Sequence, residues 1–375
     1  MLGAGINPMV YLDNAASTPV TFGVKEKLIS LLDIYGNPSS QHDLGYKAKA
    51  IINEAGIEIS NKLHCGIDEI HYTTGTTMGN NLLIRGFFKA NPHGILITDK
   101  LEHQDIIMLA KEYKDQTYML SNDSYGFVNL KMLEQILRVH TAVPVLVSIQ
   151  MANNEIGTIQ YIKSIARIVD LYKNAYLHMD ATQYIAWYSV DLSKLKIDAL
   201  TMSGQKIGCI KGTGLLYIRK NVPIASIILG EQGFIGGTEN VLGIGCLGQA
   251  FKELDWGKSK ECMAKRDYFN TLLPYELNGT YSMGRLPNNL NLRFPGCNSD
   301  EFVELLNQNG VYASAGSACS SYSNVSSHVL KAIGLTEEEA SSSVRFTLNN
   351  QTTYEELNEA AKIINNVYEL TRKKV

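Results

Sequence analysis

The sequence predicts an α/β protein with a mostly parallel central sheet covered by helices on both faces, followed by a smaller C-terminal α+β region. Three observations predict it. Short apolar runs alternate with amphipathic stretches over the first two thirds of the chain. That alternation changes near residue 240. Hydrophobic residues make up 45% and charged residues 19% of the 375 positions, enough apolar material for a large core.

The strand candidates come first in "EIHYTTGTT", a run that ends in a turn. They continue through "HGILITDK", "TYML", "AVPVLVSIQ", "AYLHMDAT", "IDALTMSG" and "GTGLLYIRK". Between them lie helical patterns such as "GYKAKAIINEAGIEISNKL", "NLKMLEQILRVH" and "IKSIARIVDLYKNA". Beyond residue 240 a long helical segment, "IGCLGQAFKELDWGKSKECMAKRDYFNTLL", leads into "NNLNLRFPG", "DEFVELLNQNGVYAS", "SSSVRFTLNN" and a final helix, "TYEELNEAAKIINNVYELTRKK". The expected division is a large domain over residues 14–250 and a small one from 1–13 plus 251–375. No internal repeat or low-complexity tract interrupts it.

A net charge of -3 gives no electrostatic reason to expect nucleic acid or an anionic membrane surface as partner. No apolar run approaches the roughly 18 residues of a membrane span. The opening "MLGAGINPMVYLDNAAS" lacks the basic and apolar regions of a secretory signal, so a cytoplasmic protein is expected. The cysteines at 65, 209, 246, 262, 297 and 319 are scattered, with neither metal-ligand spacing nor a pairing pattern. Most are expected to be buried thiols. No metal site is expected.

"GIGCLG" at 243–248 fits G-x-G-x-x-G but does not follow a strand, as a dinucleotide site requires. "MDATQY" and "TMSGQKIG" are more informative, because each ends a predicted strand. Their side chains should gather at the carboxyl edge of the sheet, where α/β proteins bind ligands. Asp180 and Lys206 on neighbouring strand ends suit pyridoxal phosphate (PLP). The lysine anchors the cofactor covalently and the acid pairs with its ring nitrogen. "TTGTTMGNN" offers a glycine and hydroxyls ahead of a helix, which suits a phosphate. "LEHQD" puts His103 after another strand, where an imidazole can stack on a ring. Cys319 lies in "SAGSACSS", a run of small residues with little to pack. It is either an inert loop thiol or a nucleophile.

These motifs, with "YLDNAASTPV", "GNPSSQH", "NNEIGTIQ" and "GGTEN", follow the order of the cysteine desulfurases over nearly the whole chain, and the sequence resembles that family. Its members, NifS- and IscS-like, are class V PLP enzymes of the aspartate-aminotransferase fold type (fold type I). The resemblance implies conversion of L-cysteine to L-alanine, with the sulfur taken by Cys319 as a persulfide for iron–sulfur cluster or thio-cofactor assembly. It implies that Lys206 binds PLP and shuttles a proton, and that Asp180 pairs with the pyridine nitrogen. Gln183 and Asn154 would bond the phenolic oxygen, and Asn154 would also hold substrate. His103 would stack on the ring and assist proton transfer. Thr77, Ser203, Gln205 and, from a second subunit, Thr238 would hold the phosphate. Arg345 would clamp the substrate carboxylate with its bidentate fork. A homodimer and a sulfur-acceptor protein are the implied partners.

The sequence departs from that pattern at four places. Gln205 stands where histidine is usual, Met78 where an acid is common, and Gln232 and Ile235 where arginines are usual. A lyase or transaminase of the same fold, or a weakly active sulfur-relay paralogue, stays open at this point.

Overall fold

The computed structural model describes residues 9–230, 233–281, 284–316 and 326–372. Cys319 and Gln232 lie outside the described residues. Twelve strands are described: β1 (Val10–Tyr11), β2 (Ile70–Thr73), β3 (Ile95–Asp99), β4 (Thr117–Leu120), β5 (Val145–Gln150), β6 (Ala175–Asp180), β7 (Ala199–Ser203), β8 (Gly214–Ile218), β9 (Glu276–Leu277), β10 (Asn289–Arg293), β11 (Val311–Tyr312) and β12 (Ser343–Thr347). The described helices are α1 (Phe22–Leu31), α2 (Asp43–Leu63), α3 (Thr76–Ala90), α4 (Gln104–Glu112), α5 (Leu130–Val139), α6 (Ile162–Asp170), α7 (Val241–Glu253), α8 (Ser259–Leu272), α9 (Ser299–Gln308), α10 (His328–Ala332), α11 (Glu337–Ser341) and α12 (Tyr354–Thr371).

Seven strands form one sheet in the order β2-β8-β7-β6-β5-β3-β4. Neighbours from β7 to β4 are parallel, and β8 runs against both β7 and β2. The two faces are visible in how adjacent residues part. Ile95, Ile97, Val145 and Val147 join one buried cluster, while Leu96 and Leu146 join another with Phe87 and Phe88 of α3. Burial on both faces explains why these strands read as continuous apolar runs instead of alternating ones.

The C-terminal region has its own antiparallel sheet, β12-β10-β9, and its own core around Phe269, Phe294, Phe302 and Phe346. Val10 and Leu12 belong to that core, because β1 pairs in parallel with β11. The chain's first described strand therefore packs far from its sequence neighbours.

The long helical segment near residue 250 is two helices. α7 ends at Glu253, and Asp255 caps a short 3-10 turn by accepting from the Gly257 N–H at 3.0 Å before α8 begins. "GIGCLG" lies inside α7, whose first turn is capped by Asn240. A Cβ on Gly248 would fall 2.6 Å from the Ala55 Cα, so that glycine serves close packing of α7 on α2. Cys209, Cys246, Cys262 and Cys297 are buried free thiols, and Cys65 is half-buried. Burial pushes the Cys65 thiol up to about 12.

Candidate active site

The carboxyl ends of β6 and β7 are adjacent, with Asp180 opposite Thr201 in the register. The chain turns sharply after each. After β6, the Asp180 Oδ1 accepts from the Thr182 N–H at 2.9 Å. After β7, Gly204–Lys206 forms a single 3-10 turn that brings Lys206 to the same edge.

There Lys206 and Gln183 meet at one acceptor. The Ala15 carbonyl takes the Lys206 ammonium at 2.7 Å and the Gln183 amide at 3.0 Å, and Ala16 offers Lys206 a second carbonyl. The turn holding those carbonyls starts at Asp13, whose Oδ1 pairs with Arg345 Nη2 at 2.7 Å. Arg345 Nη1 donates to the Asn154 carbonyl at 3.2 Å. One turn thus links the lysine, the glutamine and the arginine. Sequence reasoning missed it, because "LDNAAS" contributes mainly backbone atoms.

Helix α3 begins at Gly75, whose φ of +147° an L-residue rarely adopts. No side chain caps this helix, which leaves the first-turn N–H groups of Thr76, Thr77 and Met78 open to an anion. The Ser203 hydroxyl lies 3.6 Å from where a Cβ on Gly75 would sit. Thr76 and Thr182 join hydroxyls at 2.6 Å and tie this turn to the Asp180 turn. The Thr77 hydroxyl acts to lower the Asp105 carboxyl. Gln205 is half-buried, and its backbone carbonyl accepts from the Thr18 N–H at 3.1 Å. The Asn154 side chain has no hydrogen bond among the described residues.

His103 caps α4, and its Nδ1 stands 2.9 Å from Asp105 Oδ1. The described residues on either side of the segment that contains Cys319 lie at this site. Ser314 exchanges both backbone hydrogen bonds with Arg345 just before it. After it, His328 bonds Gln104 through Nδ1 at 2.9 Å and the Glu102 carbonyl through Nε2 at 3.0 Å, the two neighbours of His103.

Two departures from the expected pattern share a cause. Met78 and Ile235 pack, with Phe234, against the apolar cluster of Leu82, Leu83, Phe87 and Phe88. The Met78 sulfur also accepts from the Thr74 N–H and hydroxyl, both at 3.4 Å. Apolar contacts thus stand at both of these positions. Thr238 is exposed and borders a cavity of about 950 Å³ that also reaches Thr74, Met78, Phe234 and Ile235.

The residues present fit PLP. Asp180 is buried with no cation paired to it among the described residues, and burial pushes its carboxyl above the usual carboxylate range. A ring N–H is the partner such a group lacks. The uncapped α3 start suits a phosphate, and Lys206 lies at the same edge.

The family signature described as Aminotransferase class-V matches residues 10–359. The chain belongs to the class-V aminotransferase family. It is 37% identical to Cysteine desulfurase IscS 1 of Archaeoglobus fulgidus, over 97% of this chain and 98% of that one. The NifS-like protein of Rickettsia africae superposes with a TM-score of 0.87 at 29% identity, covering 96% of this chain and 99% of that one. A structure titled "SspA in complex with cysteine" superposes with a TM-score of 0.79 at 30% identity, over 92% of this chain and all of that one. The α/β class and the family resemblance read from the sequence are both borne out.

Proposed function

We propose that the protein is a PLP-dependent cysteine desulfurase that releases L-alanine from L-cysteine and takes the sulfur onto Cys319 as a persulfide. One observation carries the reading. Lys206, Gln183 and Arg345 converge on the Asp13–Ala16 turn beside Asp180, in a chain related almost end to end to proteins named cysteine desulfurase.

Bound there, PLP supplies an electron sink for bonds broken next to the substrate's α-carbon. The protein does the rest. Lys206 anchors the cofactor and carries a proton at Nζ. Asp180 would pair with the ring nitrogen. Gln183 and Asn154 would offer amides to the ring oxygen. The α3 N-terminus, with Thr77, Ser203 and Gln205, holds the phosphate. Arg345 would take the substrate carboxylate, and His103 would stack on the cofactor and move a proton. The Cys319 thiolate bonds the substrate sulfur as the carbon–sulfur bond breaks.

Thr238, exposed on the surface, would reach the phosphate of a second copy in a homodimer. A sulfur-acceptor protein then collects the persulfide for iron–sulfur cluster or thio-cofactor assembly. The two cores support division into domains 14–250 and 1–13 plus 251–375. No helix among the described residues is long and apolar enough to cross a membrane, and we place the protein in the cytoplasm.

The test compares wild type with Cys319→Ala, assaying alanine from L-cysteine with a reducing thiol present. Alanine formation is lost in the variant while the cofactor absorbance stays. Equal alanine or pyruvate from both proteins would sink the reading and favour a lyase.

A further inference from the structure

A chain of buried hydrogen bonds crosses the sheet and ends at His103. It begins at Ser148 on β5, whose hydroxyl meets His178 Nδ1 at 2.9 Å. His178 Nε2 meets the Thr201 hydroxyl on β7 at 3.0 Å. Thr201 donates to Asn80 Oδ1 on α3 at 2.7 Å, and Asn80 Nδ2 donates to Asp105 Oδ2 at 3.3 Å. Asp105 Oδ1 then faces His103 Nδ1 at 2.9 Å. Ser148, His178, Thr201 and Asn80 are fully buried.

The chain has one direction. Thr201 spends its proton on Asn80, so it accepts from His178 Nε2–H. His178 Nδ1 is then an acceptor, and Ser148 must donate to it. Burial holds His178 down at about 3, so it is the neutral imidazole this order needs. Every donor points toward Asp105, whose two oxygens end the chain. A carboxylate accepts only, so the remaining proton between Asp105 and His103 belongs to His103 Nδ1. The Asp105 N–H also points at Nδ1, but at 3.5 Å. The charge-assisted contact at 2.9 Å prevails.

We propose that Asp105 is a positioning residue for His103. Its carboxylate grips Nδ1–H and fixes the ring, so that Nε2 is the nitrogen that exchanges protons. Its role in turnover rests on the desulfurase reading; the grip itself does not. Burial acts to raise Asp105, but the hydrogen bond and charge of His103, the Thr77 hydroxyl and the Ile106 N–H outweigh it and hold the carboxyl below the usual range. Among the described residues, the ionisable groups around the pair include His178 and Asp180 from β6 and Glu102 from the turn before α4. Arg85 of α3 is paired with Glu112 at the far end of α4.

The test uses the full chain labelled with ¹⁵N-histidine, the His103 signal being assigned by its loss in His103→Asn. Wild type should show the Nδ1–H tautomer, and Asp105→Asn should lower the His103 titration midpoint by about one unit. Alanine formation by Asp105→Asn should fall about 10–100-fold with cofactor absorbance intact. Asp105→Ser, which suits a first helical turn, takes the same measurement if the asparagine variant is unstable. An unchanged tautomer and midpoint in both variants would overturn the proposal and leave Asp105 a structural residue. A midpoint shift in a protein that makes no alanine would uphold Asp105 and refute the desulfurase reading instead.

Discussion

Arg345 and Asp13 form an ion pair of 2.7 Å, with the arginine side chain 2% exposed. The guanidinium proposed to take a substrate carboxylate already holds one from its own chain. Its Nε has no hydrogen-bond partner among the described residues, so the fork is only partly satisfied there. A substrate must share this arginine with Asp13 or displace it.

Asp13→Asn should therefore act in two directions. Removing one partner of a buried pair leaves the other charge uncompensated, which costs about 3–5 kcal/mol. Asp13 is partly exposed, so the loss should sit near 3 kcal/mol in urea unfolding. The freed guanidinium should at the same time lower KM for L-cysteine. Loss of stability with a raised KM would mean that Asp13 orients Arg345 for the substrate and does not compete with it.

A second prediction concerns pH. Asp99 and Glu102 are both fully buried, and among the described residues each has one oxygen without a hydrogen bond of normal geometry, although the Asn122 side chain acts on the Asp99 carboxyl. Burial raises Asp99 to about 6, and burial together with the charges of Asp99 and Asp180 pushes Glu102 well above the usual range. Both folded values lie above the unfolded ones. The unfolded chain thus ionises first as pH rises, and stability falls between the usual carboxylate range and the raised folded values. Asp99→Asn keeps an oxygen for the Leu101 N–H and removes the charge. It should stabilise the protein by about 1–3 kcal/mol at pH 7, with the gain vanishing near pH 4. Unfolding curves at the two pH values check this, and an equal effect at both would refute it.

The sheet was legible because seven apolar runs ended in turn residues. Asp180 and Lys206 stood out because each follows such a run directly. The break after Glu253 was not legible, since "ELDWGK" keeps helical periodicity on both sides. The Asp13–Ala16 turn acts through carbonyls, which leave no mark on side-chain pattern. Asp105 and Asn80 sit within "LEHQD" and "TTGTTMGNN" without a pattern that sets them apart. A polar residue in a helix's first turn usually means a cap, and only the fold shows the two helices facing each other.

The last prediction concerns the described residues that flank the segment containing Cys319. Ser327 donates its hydroxyl to the buried Glu155 carboxylate. Glu155 in turn offers its carbonyl to Asn289 at 3.1 Å and Asn291 at 3.2 Å. With Ser314 fixed on Arg345, both ends of residues 315–326 are tied to the site. Nine residues lie between Gly316 and Ser326, and nine residues reach about 30 Å when extended. The anchors thus fix the two points from which the segment containing Cys319 starts and ends. Ser327→Ala removes one anchor and leaves Glu155 without its hydroxyl partner, at about 1–3 kcal/mol of local stability. Cofactor binding should be unchanged, because the Ser327 hydroxyl is bonded to Glu155 and to the Leu330 N–H. Persulfide formation on Cys319, followed by mass spectrometry after a single turnover, should slow about tenfold, as for a misplaced reacting group. A slower cofactor-binding step with normal persulfide formation would show instead that Glu155 supports the cofactor pocket and not the loop.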